Sequence, residues 1–193
     1  MVIGVTGGIG CGKTTFAKLL SFELKAPILD ADKIAHEAYF DKDIIIKICE
    51  TFGNDILDET NNINKSKLSN IVFSNSEKLS NLNAIIHPFV INSIITQIAS
   101  LSQNYKYIIV DIPLPVDEFI KLSDFIITVW ANLDIRIKRV MERTNLSEAD
   151  VVNRIKKQMP QDKYEALADY IVYNNNSIDE LKNKVKDILS KLI

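Results

Sequence analysis

The segment Gly7-Gly8-Ile9-Gly10-Cys11-Gly12-Lys13-Thr14 has residue types and spacing suited to gripping phosphate. It fits G-x-x-x-x-G-K-[ST], in which glycines let the backbone turn sharply and aim its N–H groups at phosphate oxygens. The helix that must follow adds partial positive charge at its N-terminus. Lys13 is placed to reach β- and γ-phosphates, and the Thr14 hydroxyl to hold Mg²⁺, with Thr15 next to them. The motif requires a strand before it and a helix after it. Val2-Ile3-Gly4-Val5-Thr6 reads as a buried strand, and Thr14–Leu20 as a helix with apolar positions 16, 19 and 20.

Other residues extend this chemistry. Asp32 follows a second short strand, Pro27–Asp30, and could accept or orient the proton of an acceptor hydroxyl. Asp30 could do the same or hold a Mg²⁺-bound water, and both could instead cap a helix starting near Lys33. Arg136, Arg139 and Arg143 recur at i, i+3 and i+7, with Lys138 on the same helix. Such a row suits a clamp on phosphoryl oxygens, or is an ordinary solvated basic face. Arg154, Lys156, Lys157 and Lys163 follow it. Asp111 ends an apolar strand, as a Mg²⁺-holding acid does or as a turn before Pro113 does. His87, before Pro88, reads first as a structural residue of an amphipathic helix. Cys11 sits where a helix N-terminus favours the thiolate, which makes redox sensitivity a minor possibility.

The elements that must position these groups alternate. Further strands are expected at Tyr107–Asp111, Phe125–Trp130 and Tyr170–Tyr173. Residues 33 to about 74 carry helical patterns, interrupted by a polar surface loop at Asp58–Asn64. A long helical region runs from Ser76 to about Gln103, with Pro88 expected to kink or divide it. Asn132 is expected to cap a helix through Arg143, Ser147 one reaching Met159, and Ser177 the C-terminal helix. The alternation implies an α/β fold with a five-stranded parallel sheet flanked by helices, of the phosphate-loop NTPase type. Ligands then bind at the strand carboxyl ends, where the glycine-rich loop, Asp30 and Asp32, Asp111 and the segment after Trp130 fall.

Composition narrows the function classes. The 193 residues are 47% apolar and 25% charged, with net charge −2. That balance gives no field for nucleic acid. Two cysteines without metal-ligand spacing fit a reducing, cytoplasmic setting. No apolar run approaches a membrane span by this reading, so no membrane partner is expected. A GTP-dependent switch would show D-x-x-G and N-K-x-D; here Asp111 leads into Ile112-Pro113-Leu114, and Asn132-Leu133-Asp134 is no match. A small-molecule kinase is favoured.

Together the residues resemble the dephospho-CoA kinase family over essentially the whole chain. Gly4–Thr14 is similar to the family's G-L-T-G-G-I-G-S-G-K-S, and Ile28–His36 to its D-A-D segment. Ile86-His87-Pro88 carries its H-P pair, and Arg139–Arg143 its R-x-M-x-R helix. Arg154–Pro160 and Ala168–Asn175 are similar to its R-I-x-x-Q-M and A-D-Y-V-I-x-N segments. Departures are Cys11 and Thr14 in place of Ser, Pro115 for Leu, Asp117 for Glu, and Thr144 for Asp.

The resemblance implies transfer of the ATP γ-phosphoryl group to the ribose 3′-hydroxyl of dephospho-CoA, with Mg²⁺. It implies a nucleotide-binding core (1–33, 75–131, 168–193), a helical acceptor-binding segment (34–74) and a lid (132–167). Asp32 becomes the general base, and Arg139, supported by Arg143, the arginine on the transferring phosphate. Asn174 and Asn175 fall near the adenine of ATP, and His87 gains weight on the acceptor side. The competing readings are another phosphate-loop kinase, of nucleoside, nucleotide or shikimate type, and a non-catalytic ATP-binding protein. Oligomeric state stays open.

Overall fold

Five apolar runs form five parallel strands, β1 (Val2–Thr6), β2 (Ile28–Asp30), β3 (Ile108–Asp111), β4 (Phe125–Trp130) and β5 (Tyr170–Tyr173). Their spatial order is β2-β3-β1-β4-β5. Val5 is in register with Asp111 on one side and Ile127 on the other, so β1 and β3 end together at the rim that leads into the glycine-rich loop. The structure is a computed structural model and describes residues 1–73 and 75–192. The expected 34–74 and 168–193 segments therefore have their last residues outside the described ones.

The chain divides into two units, Met1–Asp30 with Ile98–Ile193, and Ala31–Gln97. In the first, α1 (Lys13–Leu24) and α10 (Ile178–Leu192) contribute Phe16, Ala17, Leu20, Leu181, Val185 and Ile188 to one core. These pack with Ile3, Val5, Ile127 and Val129 of the sheet. Burying each large side chain contributes about 1.5–3 kcal/mol, which gives the sheet its rigidity as a platform.

Beyond the sheet lie α6 (Asp117–Ile120), α7 (Leu133–Arg143), α8 (Glu148–Lys156) and α9 (Gln161–Ala166). Ser147 caps α8 as its spacing suggests, its Oγ accepting from the Asp150 N–H at 3.2 Å. The helix stops at Lys156 rather than Met159, and Pro160 disfavours a helical conformation at Met159. The chain then restarts as α9, which the sequence reading missed along with α6. Asn132 stands at the N-cap of α7 but makes no side-chain cap bond; its own N–H donates to Asn175 Oδ1 at 2.8 Å.

The second unit is helical, with α2 (Ala31–Glu37), α3 (Lys42–Phe52), α4 (Lys65–Phe73) and most of α5 (Ser76–Leu101). Asp41 Oδ1 caps α3 by accepting from the N–H groups of Asp43 and Ile44. The expected polar loop is pinched by a bridge between Leu57 and Ile63. Pro88 does not divide α5, which runs uninterrupted for 26 residues and buries Leu82, Ile86, Val90 and Ile94 at i, i+4 spacing. By length and composition α5 could cross a membrane, contrary to the sequence reading. Asn83, His87, Asn92 and Gln97 break any continuous apolar run, yet the average remains apolar. The core helix of a soluble protein has the same length and composition.

Candidate active site

The glycine-rich loop connects β1 to α1 within the first unit, as the motif demands. Gly10 and Gly12 adopt φ of +79° and +88°, in the left-handed region. Space forbids side chains there as well. A Cβ at Gly10 would lie 2.6 Å from the Arg136 carbonyl oxygen, and one at Gly12 2.3 Å from Asn174 Nδ2. The glycines thus let α7 and the segment after β5 press against the loop.

That pressure has a chemical result. Three successive loop carbonyls are bound from outside. Arg136 Nε donates to Ile9 O at 2.9 Å, and Asn174 Nδ2 to Cys11 O at 2.9 Å. Arg139 Nη1 makes a long 3.5 Å contact with Gly10 O and a shorter bond, 3.0 Å, to Asn174 O. The Ile9 N–H donates to Gln158 Oε1 at 2.8 Å, and the Cys11 N–H to Gly8 O at 3.2 Å. The start of α1 offers further donors. The N–H groups of Lys13, Thr14 and Thr15 lie in its first turn, where a helix supplies no acceptors of its own.

Asp111 completes the floor. It is 4% exposed, and its Oδ1 accepts from Lys13 Nζ. Its Oδ2 accepts from Thr14 Oγ1 at 3.2 Å. A buried carboxylate is tolerable when paired in this way. One hydroxyl and one carboxylate, both hard oxygen donors, fit Mg²⁺, which keeps several of its waters. No cluster of three or more His, Cys, Asp or Glu is formed among the described residues, so a site closed entirely by protein ligands is not built here.

The arginine row resolves into three roles. Arg136 is buried at 4% exposure; besides Ile9 it contacts Gln158 Oε1 at 3.3 Å and lies 4.5 Å from the centre of the Trp130 ring. It belongs to the loop's support. Arg139 is half-buried with one nitrogen on the loop side, and Arg143 is exposed in the last turn of α7. Sequence reasoning grouped Arg136 with its neighbours and missed Gln158 as a partner. The late Gln158-Met159-Pro160 segment was the available signal.

Cys11 departs from its expectation. The side chain is fully buried, and burial pushes its thiol up, with the Arg136 guanidinium offsetting only part. The helix-terminus effect on the thiolate is outweighed by desolvation. Asn175 is half-buried and serves the Asn132 N–H. In the second unit, Asp32 is exposed within the first turn of α2, which begins at Ala31, so it is inside the helix rather than capping it. His87 is half-buried on α5.

Comparison with known proteins agrees with this arrangement. The family model described as dephospho-CoA kinase matches residues 1–180. A dephospho-CoA kinase of Fusobacterium nucleatum is 38% identical over 187 residues, covering 96% of this chain and 95% of the relative. A solved structure from Thermus thermophilus superposes with a TM-score of 0.84 at 29% identity, covering 100% of this chain and 98% of the other. The dephospho-CoA kinase from Campylobacter jejuni gives 0.74 at 27% identity, covering 99% and 96%. A carbonyl-clamped phosphate loop, a lysine and a threonine on one buried aspartate, and matches along the whole chain lead to one assignment: this chain belongs to the dephospho-CoA kinase family.

Proposed function

We propose that the chain transfers the γ-phosphoryl group of ATP to the ribose 3′-hydroxyl of dephospho-CoA, giving CoA and ADP. The observation that carries this is the convergence of Lys13 and Thr14 on Asp111 below a loop whose carbonyls are held by Arg136, Arg139 and Asn174, in a chain of this family.

In such a transfer the acceptor oxygen bonds to the γ-phosphorus as the bond to the β-phosphate oxygen breaks, and the hydroxyl proton must leave. Asp32 takes that proton as general base. Lys13 and the first-turn N–H groups of α1 bind the phosphates and spread their charge. Arg139 turns its remaining guanidinium donors to the transferring group, with Arg143 one turn further along α7. Thr14 and Asp111 would hold Mg²⁺, which would offset negative charge on the phosphates. The 132–167 helices act as a lid that excludes water as a competing acceptor. The 34–74 segment binds the acceptor together with His87, and Asn174 and Asn175 border the adenine of ATP. Both cysteines are free thiols, which supports a reducing, cytoplasmic setting.

The test is coupled ADP release with Mg²⁺ and ATP, comparing dephospho-CoA with no acceptor and with nucleosides, nucleotides and shikimate. Strong stimulation by dephospho-CoA with CoA as product is expected. Stimulation by a different acceptor only would move the chain to another substrate, and none by any acceptor would leave a binding protein.

A further inference from the structure

Arg136 carries a full positive charge at 4% exposure, yet no carboxylate pairs with it among the described residues. Its neighbours are dipoles and an indole. Nε donates to the Ile9 carbonyl at 2.9 Å, and Nη2 to Gln158 Oε1 at 3.3 Å. The guanidinium carbon lies 4.5 Å from the centre of the Trp130 ring. A buried charge is ordinarily matched by an opposite one, because removing it from water is costly. The glycine-rich loop beside Arg136 is built for an anion, and a bound phosphate supplies that opposite charge.

Gln158 connects this charge to the loop. Its Oε1 accepts from the Ile9 N–H at 2.8 Å as well as from Arg136. Both partners are donors, so the atom facing them is the oxygen, and the amide nitrogen is turned away from them. No described residue accepts from the two N–H bonds of that nitrogen, and the side chain is only half-buried. A carboxamide whose oxygen is held by a guanidinium and a peptide N–H is polarised, which strengthens its nitrogen as a donor. The backbone keeps it in place. The Gln158 N–H donates to Ile155 O at 3.0 Å, Met159 packs against the core, and Tyr164 is fully buried. A Cβ at Gly8 would lie 2.4 Å from Arg136 Nη2 and 3.2 Å from Gln158 Oε1, so both groups rest directly on the loop.

We infer that Gln158 is a phosphate ligand: its Nε2 donates to a phosphoryl oxygen of bound ATP, while its Oε1 carries the polarity of Arg136 and Ile9 to that contact. Ile9 commits its own N–H to Gln158. At this position the loop therefore presents a carboxamide donor in place of a peptide one. The same contact brings an anion near the buried Arg136. This inference rests on the proposed use of ATP and adds a binding residue that lies outside the glycine-rich motif.

The test titrates the full chain with ATP and Mg²⁺ in the absence of any acceptor, and follows thermal unfolding of the same proteins. Wild-type ATP binding without transfer to dephospho-CoA would overturn the proposed reaction and leave this titration readable; no ATP binding would overturn both. Gln158→Glu keeps an oxygen for Ile9 and Arg136 but sets an anionic oxygen where the donor stood. Its Kd for ATP is expected to rise about tenfold or more, while its unfolding temperature stays at or above the wild-type value. Gln158→Met, of similar size, lacks both donor and acceptor. It is expected to raise Kd less than the glutamate does and to lower the unfolding temperature. A residue that only supports the loop gives the reverse order, with glutamate preserving ATP binding and methionine weakening it. That reverse order, or unchanged affinity in both variants, would overturn the assignment.

Discussion

Arg136 Nε donates to the Ile9 carbonyl across 2.9 Å, so a residue of α7 is built into the phosphate loop. The bond joins positions 127 residues apart, and the same guanidinium rests on Trp130 at the end of β4. The conformation of the glycine-rich loop and the seating of α7 on the sheet are therefore tied through one side chain. Arg136→Ala is expected to cost about 2–3 kcal/mol of stability, because the Ile9 carbonyl and Gln158 lose a charged donor inside the protein. It should also raise KM for ATP. Arg136→Lys should recover little, since an ammonium cannot reproduce the guanidinium fork over an indole. Thermal unfolding and ATP titration read the two effects separately.

Asp32 belongs to the second unit, Ala31–Gln97, on the exposed side of α2. Asp32→Asn is expected to retain ATP binding and lower kcat by about 10²–10⁴-fold, the range for loss of a general base. Turnover within a few fold of wild type would remove Asp32 from that role.

Asp111 accepts from both Lys13 and Thr14. Asp111→Asn keeps the size and removes the charge. The Mg²⁺ concentration giving half-maximal activity should rise about 10–100-fold. An unchanged Mg²⁺ dependence would make Asp111 a positioning partner of Lys13 only.

Gly10→Ala places a methyl group 2.6 Å from backbone at Arg136, at a φ that L-residues avoid. The left-handed conformation alone costs about 1–2 kcal/mol, and the clash with backbone adds to it. Lower thermal stability together with weakened ATP binding is expected. Gly53→Ala shares only the positive φ and meets nothing within 4 Å, so it should lower stability and leave ATP binding alone.

Cys11 is buried with a raised thiol pKa. The folded protein thus holds this proton longer than the unfolded chain. The stability linked to it is fully present below the ordinary thiol value, and is lost as pH rises from about 9 through the raised value. The unfolding temperature should fall above pH 9, and fall less in Cys11→Ser. At neutral pH, native Cys11 should resist alkylation, while half-buried Cys49 reacts first. Rapid alkylation of Cys11 in the folded protein would contradict its burial.

The strands were legible because each is a short apolar run bounded by turn residues, and β1 and β4 end where that pattern ends. The long helix was legible too, though not that it passes unbroken through Pro88. Short elements escaped. α6 spans only four residues and α9 six, too few turns for a helical period to emerge from the sequence. Asn132 shows the limit of capping rules. Its residue type suits the cap, but the Asn175 carboxamide claims its backbone N–H from across the sheet edge.

Local chemistry determined the phosphate loop. Glycine spacing, a lysine and a threonine between a strand and a helix leave few other conformations, and these constraints act within a dozen residues of chain. Tertiary structure decided what surrounds that loop. Nothing in the spacing of Arg136, Arg139 and Arg143 says which one is buried beneath the loop and which reaches solvent. That follows from how α7 packs against Trp130 and Ile9, contacts between residues distant along the chain. The same holds for Cys11, whose thiol is governed by burial beside Tyr164 and the sheet rather than by its place before a helix.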